Sequence, residues 1–463
     1  MDGASATAGL RGRDTAALAA VVALLVLSLV AGGSSQESGG GVFAARLLAL
    51  PLIAWGGYLL LQNRADSAVH RVGLVPWAWL AFIAAVVAIP LLQLWLPGAM
   101  AGGEGRAALG QDLQRFGADA PTHWSLAPAA TRDAGFALLP AVAVFALTLA
   151  LPTQAQRRLA VVVVLMAVAS LLLGIAQLGA PQESALNPYP QWQPAMNGFF
   201  ANPNHQATLL VVAATLACAR LATAVGRWPT GRPHRAATMA VSALVMLLAA
   251  VALPLTGSRA GVVLFILACG VVVAAHWPAW RGSRRGRVML AASLTLAGVG
   301  LLAALRWMQV DTVDELRAPL RAVTGDIAAR FAPAGTGLGS YVPVFEQEAP
   351  REMLMGNYIN HAHNEYAQWW LEAGVPALIA MVLGAAALGL TVRGLWRLPA
   401  DARGLGVTAL VALAAILAHS IVDYPLRTPA MLAVAAALAG IAAAQAMRAS
   451  HGRDPHRLPV KTG

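Results

Sequence analysis

The sequence predicts an all-α polytopic membrane protein of about twelve transmembrane helices, and three observations predict it. Of its 463 residues 58% are hydrophobic and only 11% charged, a balance that does not suit a chain wrapped in water. Apolar runs of about 17 to 23 residues recur along it, each long enough to cross roughly 30 Å of hydrocarbon. Basic residues are distributed unevenly between alternate connections, as expected where Lys and Arg stay on the cytoplasmic side.

The expected spans are 15–31, 43–61, 74–96, 134–151, 158–178, 206–225, 236–255, 259–277, 287–306, 376–392, 404–422 and 428–447. With the N-terminus inside, cytoplasmic segments together with the span ends beside them carry 21 of the 32 Lys and Arg residues. They include GRWPTGRPHR (226–235), RGSRRGR (281–287) and the tail after Met447. The outer loops GGSSQESGG (32–40) and 180–204 have none. Both termini are therefore expected in the cytoplasm, and the chain reads as one integral-membrane domain, 1–463. Arg11 and Arg13 before the first span imitate a signal peptide, but the apolar run is long for one, so this span is read as retained. The net charge of +11 follows from this topology and from attraction to anionic lipid; no nucleic-acid module is visible. Cys218 and Cys269 fall inside spans, which leaves no disulfide framework and no CxxC metal site.

Two outer segments, 97–133 and 307–375, are too long to be simple connections. In the second, Val313, Leu316, Leu320 and Val323 share a helical face, which predicts an amphipathic helix along the outer membrane surface. GTGLGSY (335–341) follows, with Gly337 and Gly339 expected to allow a turn near a ligand. Next comes INHAHNEYAQWWLEAGVP (359–376), two histidines and two acidic residues in an apolar chain. Asn364 and Glu365 can begin a short helix, Trp369 and Trp370 suit the interface, and GVP breaks the chain before the tenth span. His361 is expected to be freer than His363, lying one step further into the loop.

Other polar motifs gather on the same side: NGFFANPNHQA (197–207), TGSRAG (256–261) and HSIVDYPLRTP (419–429). Asn204 and His205, Ser258 and Arg259, His363 and Asn364, and Leu426 and Arg427 lie at or near helix starts that face outward. Helix N-termini favour anions, so convergence of these ends would make a cationic, donor-rich pocket for a phosphate or pyrophosphate. Plainer readings stand beside this one. His205 can serve only as a helix cap, Arg259 can snorkel to the interface, and the 361/363 pair can be surface loop. His361 and His363 have no third ligand at fitting spacing, so no metal site is expected.

Five strings, GFFANPNHQATLL, TGSRAGVV, GTGLGSY, HAHNEYAQWWLEAGVPALI and HSIVDYPLRTPA, occur in order over 197–430. Together they resemble the O-antigen ligase and polysaccharide polymerase superfamily of bacterial inner-membrane glycosyltransferases. The resemblance implies an enzyme that needs no metal or other cofactor, with its active site on the periplasmic face. It implies transfer of a glycan from undecaprenyl pyrophosphate to an acceptor hydroxyl, on a glycan or on lipid A core, with membrane lipids as its surroundings. Arg259 and His363 match the family's pyrophosphate-holding arginine and acceptor-activating histidine. Arg330 corresponds to a second arginine in a segment compressed relative to the family, and His361, Asn204, His205, Asn364, Gly337, Gly339, Asp423 and Arg427 are candidate substrate contacts.

Elementary chemistry agrees with that implication. Pyrophosphate is already a good leaving group, so a protein has to neutralise developing charge and position a nucleophile. Arginine does the first with a permanently charged fork, and histidine can take the hydroxyl's proton. Two other classes fit the span count: a secondary carrier and a non-catalytic scaffold for polysaccharide assembly. Carriers usually place ionisable groups near mid-membrane in repeat-related broken helices, whereas these motifs sit at outer ends with no repeat of the two halves.

Overall fold

The computed structural model describes residues 10–35, 39–65, 73–181, 183–189, 196–226, 233–276, 317–354 and 359–448, with positions 291 and 298. Among these residues the regular elements are helical: α1 (Gly12–Ala31), α2 (Gly40–Ala65), α3 (Leu74–Trp95), α4 (Glu104–Arg115), α5 (Pro128–Ala150), α6 (Thr153–Leu178), α7 (Pro203–Gly226), α8 (Pro233–Leu255), α9 (Arg259–His276), α10 (Arg317–Arg330), α11 (Tyr341–Glu348), α12 (Arg351–Leu354), α13 (Glu365–Trp396), α14 (Gly404–His419) and α15 (Pro429–Arg448). Ten of them are long and apolar enough to cross a membrane, and α14 is a shorter apolar helix. The chain is thus an all-α, multi-pass membrane protein. The expected ninth span (287–306), the basic loop 281–287 and the tail beyond Arg448 lie outside the described residues, so the described spans do not reach twelve. Where helices outrun the expected spans, polar first turns carry them on. α5 begins at Pro128, a residue pre-organised for a first helical position, and includes Arg132 and Asp133.

Among the described helices α15 is the most enclosed; it is rich in Ala, with one glycine, Gly440, and packs against α5, α14, α1 and α13. Small residues let helices approach closely where lipid supplies no hydrophobic drive. A Cβ on Gly440 would lie 2.9 Å from Thr148 Cβ, so this face of α15 fits α5 without room to spare. α1 belongs to the same core, with Val21, Leu24, Leu25 and Leu29 buried. α7, α8 and α9 form a second group joined to the first through α14.

The two long segments build one lobe. Gly98 N donates to Thr122 O at 3.0 Å, and Leu126 N donates to Thr336 O at 2.8 Å, which ties 97–133 to the glycine loop. Buried Arg106 donates to Trp124 O and, at 3.2 Å, to Gly335 O; burial pushes its pKa down to about 10. Phe331, Tyr341 and Phe345 are buried beneath α10, each contributing about 1.5–3 kcal/mol if fully removed from water. The amphipathic reading of α10 needs correction. Its buried residues are Leu320, Thr324, Ile327 and Ala328, and that face packs on protein, on α11 and α13, rather than being left for a membrane surface. Val313 and Leu316 lie outside the described residues.

The orientation is checked by labelling. Cysteines introduced at Ser283, in the basic loop, and at exposed Gln347, on α11, are expected to react from opposite sides of the membrane; reaction from one side would remove the assigned topology.

Candidate active site

The ends of α1, α7, α13, α14 and α15 meet on one side of the bundle. Ala201 N donates to Gly33 O at 3.1 Å, Ala430 N to Gly32 O at 3.0 Å, and Glu365 N to Ser420 O at 2.9 Å. These backbone bonds bring NGFFANPNHQA, HAHNEY and HSIVDYPLRTP together although more than two hundred residues separate the first from the last.

Asp423 is the hub. It is 1% exposed, yet it collects donors from three segments. Asn204 Nδ2 donates to Oδ2 at 2.6 Å, Asn202 Nδ2 to Oδ1 at 3.3 Å, and Tyr424 N to Oδ1 at 2.8 Å. His205 Nε2 stands 3.5 Å and His363 Nδ1 3.8 Å from the same Oδ1. Burial works to raise the carboxyl's pKa, but the two imidazoles facing it outweigh burial and hold it well below the ordinary carboxylate range. Tyr424 packs among the rings, with centroids 4.9 Å from His205, 4.1 Å from His361 and 5.0 Å from His363. Burial first, and Asp423's charge second, raise the Tyr424 phenol.

The two histidines of HAHN have opposite environments, and the expectation that His361 is the freer one is wrong. His361 is buried; Ser35 Oγ lies 2.8 Å from its Nε2 and the Gln368 amide 3.1–3.2 Å from its Nδ1. Burial, then the charge of Arg427, holds its pKa well below the usual histidine value, so it stays neutral. His363 is the more open, its side chain 28% exposed, and its backbone is left-handed at φ +46°. That conformation is uncommon outside glycine and costs about 1–3 kcal/mol. It is held because Ala362 on one side is fully buried, its N–H donating to Gln368 Oε1 at 3.1 Å, while Asn364 on the other caps α13. Asn364 Oδ1 accepts from Ala367 N at 3.0 Å, and its Nδ2 donates to Ile421 O at 2.9 Å, so its whole amide is occupied in placing the loop.

Arg427 does not supply an open cationic surface. Its Nη1 donates to Glu372 Oε2 at 2.6 Å and its Nε to Glu365 Oε2 at 3.0 Å, all three side chains being largely buried. Burial alone would lower its pKa; the two carboxylates more than offset this and keep it charged. With Asp423 alongside, the converging ends carry mixed charge rather than the purely cationic, donor-rich lining read from helix starts. Glu372 was not singled out in the sequence, where it reads as one acidic residue in an apolar helix.

The glycine loop explains how Glu372 is placed. α13 breaks at Gly374 (φ 55°, ψ −135°), as GVP predicts, and Pro376 has no N–H for the carbonyl four residues earlier. That carbonyl, Glu372 O, instead accepts from Gly337 N at 2.8 Å and from Gln93 Nε2 at 2.9 Å; Leu371 O accepts from Thr336 N at 3.0 Å. Gly337 sits at φ +112°, and a Cβ there would come within 2.3 Å of Ser125 Oγ, so only glycine fits. Gly337 is buried beside the broken helix and α5, while Gly339, against Ala130 of α5, is exposed.

Of the arginines, Arg259 is the first residue of α9, partly buried, at the same end of the bundle: Gly261 two residues on lies against Ala207 of α7. Arg330 pairs with Glu348 at 2.7 Å on the lobe and is exposed. Arg317, which sequence reasoning passed over because it sits among several arginines, opens α10 close enough for its charge to act on Tyr424. Among the described residues no group of three or more His, Cys, Asp or Glu is placed to hold a metal ion.

A bundle of apolar helices with a carboxylate–imidazole cluster at one end defines a polytopic membrane protein with an enzyme-like site. Residues 244–382 match the model of the O-antigen ligase family, and this match supports the O-antigen ligase/polymerase superfamily, a group of membrane glycosyltransferase-like ligases. No curated protein matches the chain. The matched stretch contains Arg259, Arg317, Arg330, the glycine loop and His363; Asn204, His205, Asp423 and Arg427 complete the cluster from outside it.

Proposed function

We propose that this protein transfers a glycan from undecaprenyl pyrophosphate to an acceptor hydroxyl at the periplasmic face of the inner membrane. The observation that carries the reading is the placement of His363: half-open, left-handed, and facing a buried carboxylate through Nδ1. On this reading the outward nitrogen of His363 takes the acceptor hydroxyl's proton while the oxygen attacks the anomeric carbon. The bond from that carbon to the pyrophosphate oxygen breaks, and undecaprenyl pyrophosphate leaves into the bilayer. Asp423 orients the ring and stabilises the imidazolium that forms. Arg259 is assigned to the pyrophosphate, where charge grows as the bond breaks. Periplasmic placement rests on the basic-residue asymmetry, and donor and acceptor classes rest on the family match.

Purified protein in lipid nanodiscs, supplied with undecaprenyl-pyrophosphate glycan and an acceptor glycan or lipid A core, is expected to form the transferred product and release undecaprenyl pyrophosphate. No product with either acceptor would remove the proposal. Arg259→Lys is expected to lose far more activity than retention of charge suggests, because a point ammonium cannot reproduce a bidentate fork on pyrophosphate. Wild-type donor affinity and turnover in the Lys variant would show that Arg259 only anchors the end of α9.

A further inference from the structure

The transfer mechanism uses one imidazole, yet two face Asp423. His205 is 1% exposed, in the first turn of α7, and among the described residues neither ring nitrogen has a hydrogen-bond partner within normal geometry. A neutral imidazole always carries one N–H, and leaving that donor unmet in a buried site costs about 1–3 kcal/mol. The ring has little freedom to look elsewhere: Phe200 and Tyr424 flank it edge-on, at 6.2 Å and 4.9 Å. The acceptor in front of Nε2 is Asp423 Oδ1 at 3.5 Å, the oxygen that His363 Nδ1 also faces at 3.8 Å. His363 Nδ1 likewise lacks a hydrogen bond of normal geometry among the described residues. Two imidazoles therefore compete for one carboxylate oxygen, and neither has closed on it.

The geometry assigns His205 the role of a positioning residue that acts through Asp423, sharing the carboxylate with His363 and thereby setting how readily His363 holds a proton. This rests on the transfer reading for the use of that proton, but the coupling is a property of the site itself. While the His205 N–H donates to Oδ1, part of the carboxylate's negative charge is engaged and less is available to an imidazolium at His363. When His363 takes the hydroxyl's proton, the carboxylate can close on the new cation as His205 yields. The other charged or titratable groups near His205 are His361 from the same loop as His363, Glu365 at the head of α13, and His419 at the end of α14. His419 is engaged by Thr208 Oγ1 at 2.7 Å and one oxygen of Glu365 by Arg427, while Glu365 Oε1 has no hydrogen-bond partner among the described residues. Among them Asp423, whose Oδ1 stands 3.5 Å from Nε2, is the carboxylate within ion-pair distance of His205.

The sign follows from the charge. Removing the His205 donor returns negative charge to Asp423, favours the protonated ring at His363, and moves the acid limb of the rate profile to higher pH. His205→Phe keeps the ring's shape without a donor; His205→Gln keeps an N–H that can reach Oδ1 but cannot itself ionise. Two readouts are taken on purified protein in nanodiscs across pH: the rate of glycan transfer, and the rate of diethylpyrocarbonate acylation at His363, followed by peptide mass spectrometry. The expected result for His205→Phe is an upward shift of about 0.5–1 pH unit in the midpoint of both, with His205→Gln at the wild-type midpoint. His205→Asn, too short to reach Asp423, gives the same test if the Phe variant does not insert stably, and is expected to shift with it. Loss of rate at all pH with both midpoints unmoved would overturn the role, as would a Gln variant that shifts as far as Phe. A shifted acylation midpoint in a protein that transfers no glycan supports the coupling and overturns only the transfer reading.

Discussion

His363→Ala is expected to lower turnover by ~10²-fold or more while donor binding stays close to wild type, since a base that moves a proton only in the transition state contributes little to ground-state affinity. Alanine is disfavoured at a left-handed position, so His363→Asn is the needed companion: asparagine tolerates that backbone and lacks a base, and it is expected to be as inactive as the alanine variant. The native rate is expected to fall as pH is lowered, because a protonated ring cannot accept the hydroxyl's proton. His361→Ala is expected to act differently. Its ring is buried and neutral between Ser35, Gln368 and Tyr424, so the loss should appear as lower stability and a displaced loop, with no movement of the pH profile. Purified protein assayed with donor and acceptor decides between them, and an active His363→Asn enzyme would end the general-base assignment.

Arg427→Met is expected to destabilise the protein by about 3–5 kcal/mol, the usual cost of breaking a buried ion pair from one side, because Glu365 and Glu372 would be left buried with no countercharge. The effect should exceed that of losing any exposed pair, such as Arg115 with Asp112, whose contribution is at most about 1 kcal/mol. Adding Glu365→Gln and Glu372→Gln to Arg427→Met removes the stranded charges and should recover much of the loss. Thermal unfolding in detergent, followed by loss of monodispersity, checks both steps; a triple variant no more stable than Arg427→Met would show that the arginine matters for packing rather than for charge.

Both expectations concern residues whose class was legible in the sequence and whose partners were not. Asn364 as a helix cap, the break at GVP and the placement of four polar motifs at the ends of apolar runs follow from local rules: a side chain three residues from its N–H, a proline without one, a run of apolar residues of known length. Arg427 was legible as a cation at a helix start. That it is neutralised by Glu365 and Glu372 was not, because Glu372 lies in another motif, 55 positions away, and is brought round only by the kink of α13. The same holds for the glycine loop. Its glycines announced a tight turn, but what the turn meets is the pair of carbonyls freed by a break thirty-odd residues later.

The sequence by itself determined the membrane class, the succession of apolar helices and the gathering of polar motifs at helix ends, because span length and helix capping act over a few residues at a time. Tertiary structure alone decided which groups share charge. Asp423 between His205 and His363, the burial of His361 against the openness of His363, and the sealing of Arg427 all depend on how helix ends dock. At those ends burial removes the screening of water, so a neighbour from a distant segment outweighs everything the residue's own segment supplies.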